Sequence, residues 1–277
     1  MEKREFERQT AIERSIIKKY EKTIWQRFIG ACKDYKLIEA GDKIAVCISG
    51  GKDSFLLAKC MQQLKKHSDV PFELEFICMD PGYKPENRDL IIQNAQQMGI
   101  PLHVFDSEIF ASVDNIDKNP CYLCARMRRG YLYKNAQMLG CNKIALGHHF
   151  DDVIETTLMS MLWGAEIKTM PPKLKSQNYS GMQLIRPLYL VREEDVISWR
   201  KYNDLTFLAC ACRMTERNPA KENAGARAAT KRLLKQLRLE NPQVDVRILR
   251  SMENVNLNTV LGYTKDGEKH SFLERFT

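Results

Sequence analysis

The sequence predicts an α/β protein with a doubly wound, mostly parallel sheet and helical additions at both ends. Three observations carry this. Short β-branched and apolar runs at Lys43–Ile48, Pro71–Asp80, Leu102–Phe105 and Lys143–Gly147 read as strands. Helix-period segments separate them, at a rhythm that calls for crossovers and parallel pairing. Three of the runs end in Ser49-Gly50-Gly51, Pro81-Gly82 and Gly147-His148-His149, small or polar clusters of the kind that build ligand sites at the carboxyl ends of such a sheet.

The 277 residues, 44% of them hydrophobic, suffice for one substantial core or two modest ones. The charged fraction is 28%, no apolar run is long enough to span a bilayer, and the chain opens on Met1-Glu2-Lys3-Arg4-Glu5 instead of a signal peptide. A cytoplasmic protein without a membrane partner is expected. Nine cysteines, an odd number, read as thiols or metal ligands and not as a disulfide framework. The net charge of +8 favours a polyanionic partner only in a general way.

From Glu2 to about Lys36, apolar residues such as Ile12, Ile16, Tyr20, Ile24 and Phe28 recur at helical spacing among charges, predicting one or two amphipathic helices. Their basic residues suit RNA contact or a solvated face. The first strand then runs into Ser49-Gly50-Gly51-Lys52-Asp53-Ser54, and a helix pattern begins at once, with Ser54 expected to cap it. Backbone N–H groups of such a turn and the positive end of the helix dipole converge on one point, and the glycines admit phosphate oxygens to the main chain. This is not a Walker A loop. Val46 stands where its leading glycine belongs, and Asp53 replaces the hydroxyl that would bind Mg²⁺.

The second strand ends at Met79-Asp80, beside the phosphate loop, where Asp80 suits either adenosine recognition or a turn cap. A helix is expected over Pro85–Met98. Cys121 and Cys124 form a C-x-x-C pair compatible with a dithiol, half a zinc site or part of an iron-sulfur site, with a helix from Cys124 to Leu139. After the fourth strand, Asp151 and Asp152 precede a helix over Val153–Trp163. Capping accounts for one carboxylate, and the pair beside a phosphate loop suits Mg²⁺. A hairpin is expected around Ser180-Gly181. Arg186 suits a phosphate, an RNA backbone or an exposed salt bridge. A helix over Glu193–Tyr202 leads to Cys210-Ala211-Cys212, and the tail from Arg213 to Arg238, with Arg217, Lys221, Arg227 and Lys231 among its cations, is basic and helix-prone. Val244–Leu249 reads as a strand-like piece.

Ser49-Gly50-Gly51-Lys52-Asp53-Ser54 resembles the pyrophosphate loop of the ATP pyrophosphatases, which split ATP between its α and β phosphates to adenylate a substrate. With Cys121, Cys124 and Cys212 added, the chain resembles the tRNA 2-thiocytidine synthetase family over about Lys43–Met214. The likeness extends to Arg128-Arg129-Gly130, Gly147 to Asp152, Met170-Pro171-Pro172-Lys173-Leu174 and Arg186-Pro187-Leu188.

The resemblance implies adenylation of C2 of a cytidine, at position 32 in the anticodon loop, and replacement of its oxygen by sulfur. It implies ATP, Mg²⁺ and a 4Fe-4S cluster held by Cys121, Cys124 and Cys212, with one iron left open. Here the chain departs from the family, whose late site is C-x-x-C, so that Cys210 competes with Cys212 for the third ligand. The nucleotide side would comprise Ser49, Gly50, Gly51, Lys52, Asp53, Ser54, Met79, Asp80, Gly147 and Asp152, with Lys52, Asp53 and Asp151 catalytic. Expected partners are tRNA and a sulfur donor such as a cysteine desulfurase or free sulfide, with a homodimer left open. Expected domains are an N-terminal helical region at 1–40, a pyrophosphatase domain with the iron-sulfur site at 41–212, and a basic, RNA-contacting region at 213–277.

Four readings compete. A 2-thiouridine synthetase of the related kind would carry paired cysteines for zinc near both ends, whereas only Cys32 precedes the core and none follows Cys212. A cluster-free persulfide enzyme would need exposed thiols of low pKa. A small-molecule ATP pyrophosphatase would leave the three cysteines and the basic tail unused. A non-enzymatic iron-sulfur RNA-binding module would not need Lys52.

Overall fold

The computed structural model describes residues 2–107, 109–110, 120–208 and 225–276, without side-chain detail at 2–5, 120–122 and 125. Cys210 and Cys212, with Arg213, Arg217 and Lys221 of the tail, lie outside the described residues, as does the side chain of Cys121. The chain divides into two compact units, Met1–Val153 with Met170–Gly225, and Ile154–Thr169 with Ala226–Thr277.

The first unit holds the sheet. Strands β1 (Lys43–Ile48), β2 (Glu73–Asp80), β3 (Leu102–Asp106), β4 (Lys143–Ala145), β5 (Lys173–Lys175) and β6 (Gln183–Ile185) lie in the order β3-β2-β1-β4-β6-β5. Every pairing is parallel except that of the edge strand β5 with β6. The doubly wound α/β class predicted from the alternation of runs is the class observed. The hairpin around Ser180-Gly181 is present as well, and β4 is shorter than expected because it stops at Ala145.

Side chains of β1 alternate with the period of two that a strand imposes. Ile44, Val46 and Ile48 enter one core with Phe55, Leu56 and Leu57 of the helix that follows β1, while Ala45 and Cys47 enter another with Tyr133 and Ala136. The N-terminal helices α1 (Glu2–Arg14) and α2 (Gln26–Asp34) belong to the first core. Two π-helical turns, Ser15–Lys19 and Glu21–Trp25, join them, with Tyr20 N donating to Ser15 O at 2.9 Å and Trp25 N to Tyr20 O at 3.1 Å. Ile12, Ile16, Tyr20, Ile24 and Phe28 are all buried at steps of four residues. An α-helix completes a turn in about 3.6 residues, so such a stripe would drift around it; the wider π turns return it to one face.

The remaining helices are α3 (Lys52–His67), α4 (Pro85–Gln97), α5 (Pro120–Met138), α6 (Phe150–Gly164) and α7 (Glu193–Tyr202), then α8 (Ala226–Glu240) and α9 (Val244–Glu253) of the second unit. Helix α5 starts four residues before the expected Cys124, because Pro120 occupies its first position, where the missing N–H costs nothing. Val244–Leu249, expected as a strand, lies in α9. There the buried Asp245 binds Arg238 Nε of α8 through both oxygens, at 3.1 and 2.9 Å, and this pairing outweighs the β-branched residues of the segment. A hairpin of β7 (Gly262–Lys265) and β8 (Glu268–Ser271) follows, which the sequence reading did not contain. Among the described residues no helix is long and apolar enough to cross a membrane.

Ile16 tests whether the N-terminal helices are integral to the sheet core, since it is fully buried there. Ile16→Ala should cost about 2–5 kcal/mol, read as a lowered urea midpoint at unchanged m value. A loss below about 0.5 kcal/mol, typical of surface sites, would show the stripe to be peripheral.

Candidate active site

The sheet changes direction between β1 and β4, and the turns that leave these two strands face one another there. After β1, Gly50 turns the chain at φ +88°, a conformation that an L side chain resists, and an added Cβ would lie 2.7 Å from Leu208. Gly51 then takes the N-cap position of α3 without a side-chain cap. Ser54 is therefore not the cap expected of it. Its hydroxyl lies inside the turn, donating to Gly51 O at 2.8 Å and accepting from Ser49 N at 3.2 Å. The predicted loop residues thus brace one another and leave the first backbone donors of α3 directed out of the turn, as anion binding requires.

After β4, Gly147 passes against this helix start. A Cβ on Gly147 would stand 3.0 Å from both Asp53 C and Ser54 N, so a larger residue would force the two turns apart. A cavity of about 360 Å³ opens between them, lined by Ser49, Asp53, Ser54, Met79, Gly147, His148 and Asp152 and, from α5, Arg128, Arg129 and Leu132. Six of the ten predicted nucleotide residues, Ser49, Asp53, Ser54, Met79, Gly147 and Asp152, meet there. In the sequence the two arginines stand out only through the resemblance, and His148 only as part of the polar cluster that ends the fourth strand.

Not every predicted carboxylate faces the cavity. Asp80 Oδ1 accepts from Gly82 N at 2.8 Å and Tyr83 N at 2.6 Å, and its Oδ2 accepts from Arg88 at 3.0 Å. That is the turn-capping arrangement. Helix α6 starts at Phe150, three residues earlier than expected, so Asp151 and Asp152 both lie in its first turn. Asp152 lines the cavity, with its Oδ2 accepting from His149 N at 3.1 Å. Asp151 is turned the other way, accepting from Glu193 N at 2.8 Å. Arg186 answers to none of the roles considered for it. It is buried, donates to Pro171 O, and burial lowers its pKa to about 10.

Lys52 Nζ donates to Asp53 Oδ2 at 3.1 Å and to Glu193 Oε1 at 3.2 Å. Burial opposes its charge, but the two carboxylates outweigh that, and its pKa lies above the ordinary lysine value. Asp53 shows the reverse balance. Burial raises its pKa against the pull of His149 and Lys52. Its Oδ1 accepts no hydrogen bond among the described residues and has His149 Nε2 at 3.8 Å. On the other side of the ring, the Asp152 N–H donates to His149 Nδ1 at 3.4 Å, so the imidazole bridges the starts of α3 and α6.

Cys124 on α5 is half-buried and packs in an apolar cluster with Met79, Ile109, Leu123, Met127 and Leu132. Met79 and Leu132 belong to this cluster and to the cavity wall alike. In the second unit, Arg227 and Lys231 of α8 lie 3.5 and 3.4 Å from the buried Glu155, so part of the basic helix serves internal charge neutralisation.

Residues 16–217 match the family model of the PP-loop domain. A tRNA-cytidine(32) 2-sulfurtransferase of Geotalea uraniireducens is 38% identical over 230 residues, covering 81% of this chain and 88% of its own. One from Paracidovorax citrulli is 35% identical over 271 residues, 95% of this chain and 82% of its own. Among solved structures, the U34-tRNA thiolase NcsA from Methanococcus maripaludis, with its 4Fe-4S cluster, superposes with a TM-score of 0.65 at 20% identity, over 87% of this chain and 80% of that one. That likeness carries the fold. With the phosphate turn, the facing Gly147 and the cysteine-bearing helix in one fold, and relatives matched over most of their length, the chain belongs to the PP-loop family and, within it, to the tRNA-cytidine(32) 2-sulfurtransferases.

Proposed function

We propose that the protein thiolates C2 of a tRNA cytidine at the expense of ATP. The observation that carries this is the shared wall of Met79 and Leu132, which sets a cysteine of the C-x-x-C segment next to a cavity closed by a phosphate turn.

In the first step the cytidine O2 attacks the α-phosphorus of ATP, an O–P bond forms, and the bond to the β-phosphate breaks with release of pyrophosphate. The N–H groups at the start of α3 and the ammonium of Lys52 take up charge on the leaving group. Asp53 and Asp152, the carboxylates on the cavity wall, suit Mg²⁺ at the polyphosphate. The Asp53 oxygen without a hydrogen bond fits that use. Met79 and Asp80 border the adenosine, Asp80 through the turn it holds. In the second step hydrosulfide attacks C2, a C–S bond forms, and the C–O bond breaks with departure of AMP, which keeps the oxygen; sulfur delivered as a persulfide is first reduced to that level by a pair of thiols.

Cys121, Cys124 and Cys212 would hold a 4Fe-4S cluster, which supplies when bound an iron free of protein thiolate on which sulfide can be carried. The setting of Cys124 fits such a group. It is apolar, partly shielded from water and adjacent to the reacting cavity. A cytidine in a loop is the accessible target, because a stacked base cannot enter a cavity of this kind. Arg232 and Lys235, exposed on α8, are the tail cations we assign to the tRNA backbone. The sulfur donor is a cysteine desulfurase or free sulfide, the compartment is the cytoplasm, and a homodimer is compatible with the reading.

Lys52→Ala should slow thiolation by at least about 100-fold while tRNA affinity holds, as measured by single-turnover assay and filter binding. Unchanged thiolation would remove ATP activation at this loop. Protein purified without oxygen should contain about four iron and four acid-labile sulfide atoms per chain. Colourless, iron-free protein that still thiolates would establish the persulfide route instead. Nucleoside mass spectrometry of tRNA from a deletion strain should show loss of 2-thiocytidine, and loss of 2-thiouridine in its place would reassign the base.

A further inference from the structure

We infer that Glu193 is a positioning residue for Lys52, setting both the orientation of the loop ammonium and the strength of ATP binding. The inference rests on the ATP site proposed above and adds to it a residue that lies outside the loop, the aspartate pair and the cysteines.

Glu193 is the first residue of α7, and its backbone and its side chain are each held. Its backbone N–H donates to Asp151 Oδ2 at 2.8 Å, which ties the start of α7 to the first turn of α6. In its side chain, Oε1 accepts from Lys52 Nζ at 3.2 Å and lies 4.0 Å from His149 Nε2. Asp151 therefore reaches the loop lysine through Glu193, which gives the carboxylate that faces away from the cavity a part in the site.

An exposed lysine-glutamate pair contributes little. This one is placed differently. The Lys52 side chain is 22% exposed and those of Asp53 and Glu193 are 27% and 28% exposed, so all three are largely withdrawn from water. Lys52 has four rotatable side-chain bonds, and without Glu193 it would keep, among the described residues, Asp53 as its anchor. Asp53 lines the cavity, where it would hold Mg²⁺, whereas Glu193 is not part of the wall. The ammonium is thereby held by one anion that a metal-nucleotide would engage and one that it would not.

Two consequences follow, and they are separable. As a hydrogen-bond acceptor Glu193 restricts the ammonium to positions near the turn, which favours the transition state. As a negative charge it repels the incoming polyphosphate and weakens the ground-state complex. A glutamine keeps the acceptor and removes the charge, and an alanine removes both.

The test measures binding of a non-hydrolysable ATP analogue to the full chain, and single-turnover pyrophosphate release with tRNA, a step that precedes sulfur insertion. Glu193→Gln should bind the analogue roughly threefold more tightly and release pyrophosphate at close to the wild-type rate. Glu193→Ala should also bind tightly but release pyrophosphate at least about tenfold more slowly. Analogue affinity and release rate unchanged in both variants would overturn the inference, as would glutamine and alanine acting alike, or a lowered unfolding midpoint as the sole effect. Should the alanine protein not fold, tighter analogue binding by the glutamine protein supports the inference and unchanged binding overturns it. Lys52→Ala separates the two readings. If it alters neither binding nor release, the ATP site itself falls; if it alters them while the Glu193 variants do not, only the role of Glu193 falls.

Discussion

The parallel register of β1 between β2 and β4 is the constraint on which the site depends. Ile48 pairs with Cys78 on one side and Val46 with Ala145 on the other, so three chain segments leave the sheet at nearly one level. The segment after β1 must turn within Ser49-Gly50-Gly51, and the segment after β4 must pass over the helix that begins there. Both demands fall on glycine, at Gly50 because of its positive φ and at Gly147 because of the backbone beneath it. The phosphate turn is thus a consequence of strand pairing as much as of its own residues, and a slip of β4 against β1 would displace one wall of the cavity from the other.

Charge in the molecule follows two regimes, and the contrast marks the site. Lys143 and Lys59 are each 1% exposed in their side chains. Each spends all three ammonium donors. Lys143 binds Asp42, Glu39 and Leu37 O, and Lys59 binds Glu13, Gln62 and Met98 O. A backbone carbonyl in each set fixes the geometry, and such fully bonded buried ions are structural. Lys52 meets two carboxylates and no carbonyl among the described residues, and it retains some exposure. An ammonium bonded in this way is held but not locked, which suits a group that must accept phosphate oxygens.

The fold and the phosphate turn were legible because both are written locally. Alternating strand and helix patterns give a doubly wound sheet by connection rules, and Ser49 to Ser54 carries turn, donor and charge within one stretch. What was not legible depends on partners distant in sequence. The N–H of Glu193 is held by Asp151, 42 residues away, and its side chain meets Lys52, 141 residues away, so in the sequence Glu193 marked only where a helix begins. Arg186 looked like a surface cation because its burial beside Pro171 depends on β5 folding over β6. Val244–Leu249 looked like a strand because no local signal announces the Arg238 pairing that holds Asp245 in a helix. Ser54 was misassigned for a smaller reason: a serine three residues into the helix and a serine at its cap differ by a shift that the sequence alone does not register.

On the proposed reaction, the two halves of the chemistry have to share a wall. An adenylated base is activated toward any nucleophile, and water at its ordinary concentration would return the cytidine unchanged and waste the ATP. Sulfur must therefore arrive from within a surface that excludes water, at a distance no longer than the reach of the activated base. Met79 and Leu132 supply such a surface, since they line the nucleotide cavity and pack with Cys124 through the same apolar cluster. The strand that ends at Met79 is the one paired with β1, and the helix that carries Leu132 and Cys124 packs on the sheet through Tyr133 and Ala136. The pairing that forms the phosphate turn therefore also sets one wall of the proposed ATP cavity against the cysteine helix.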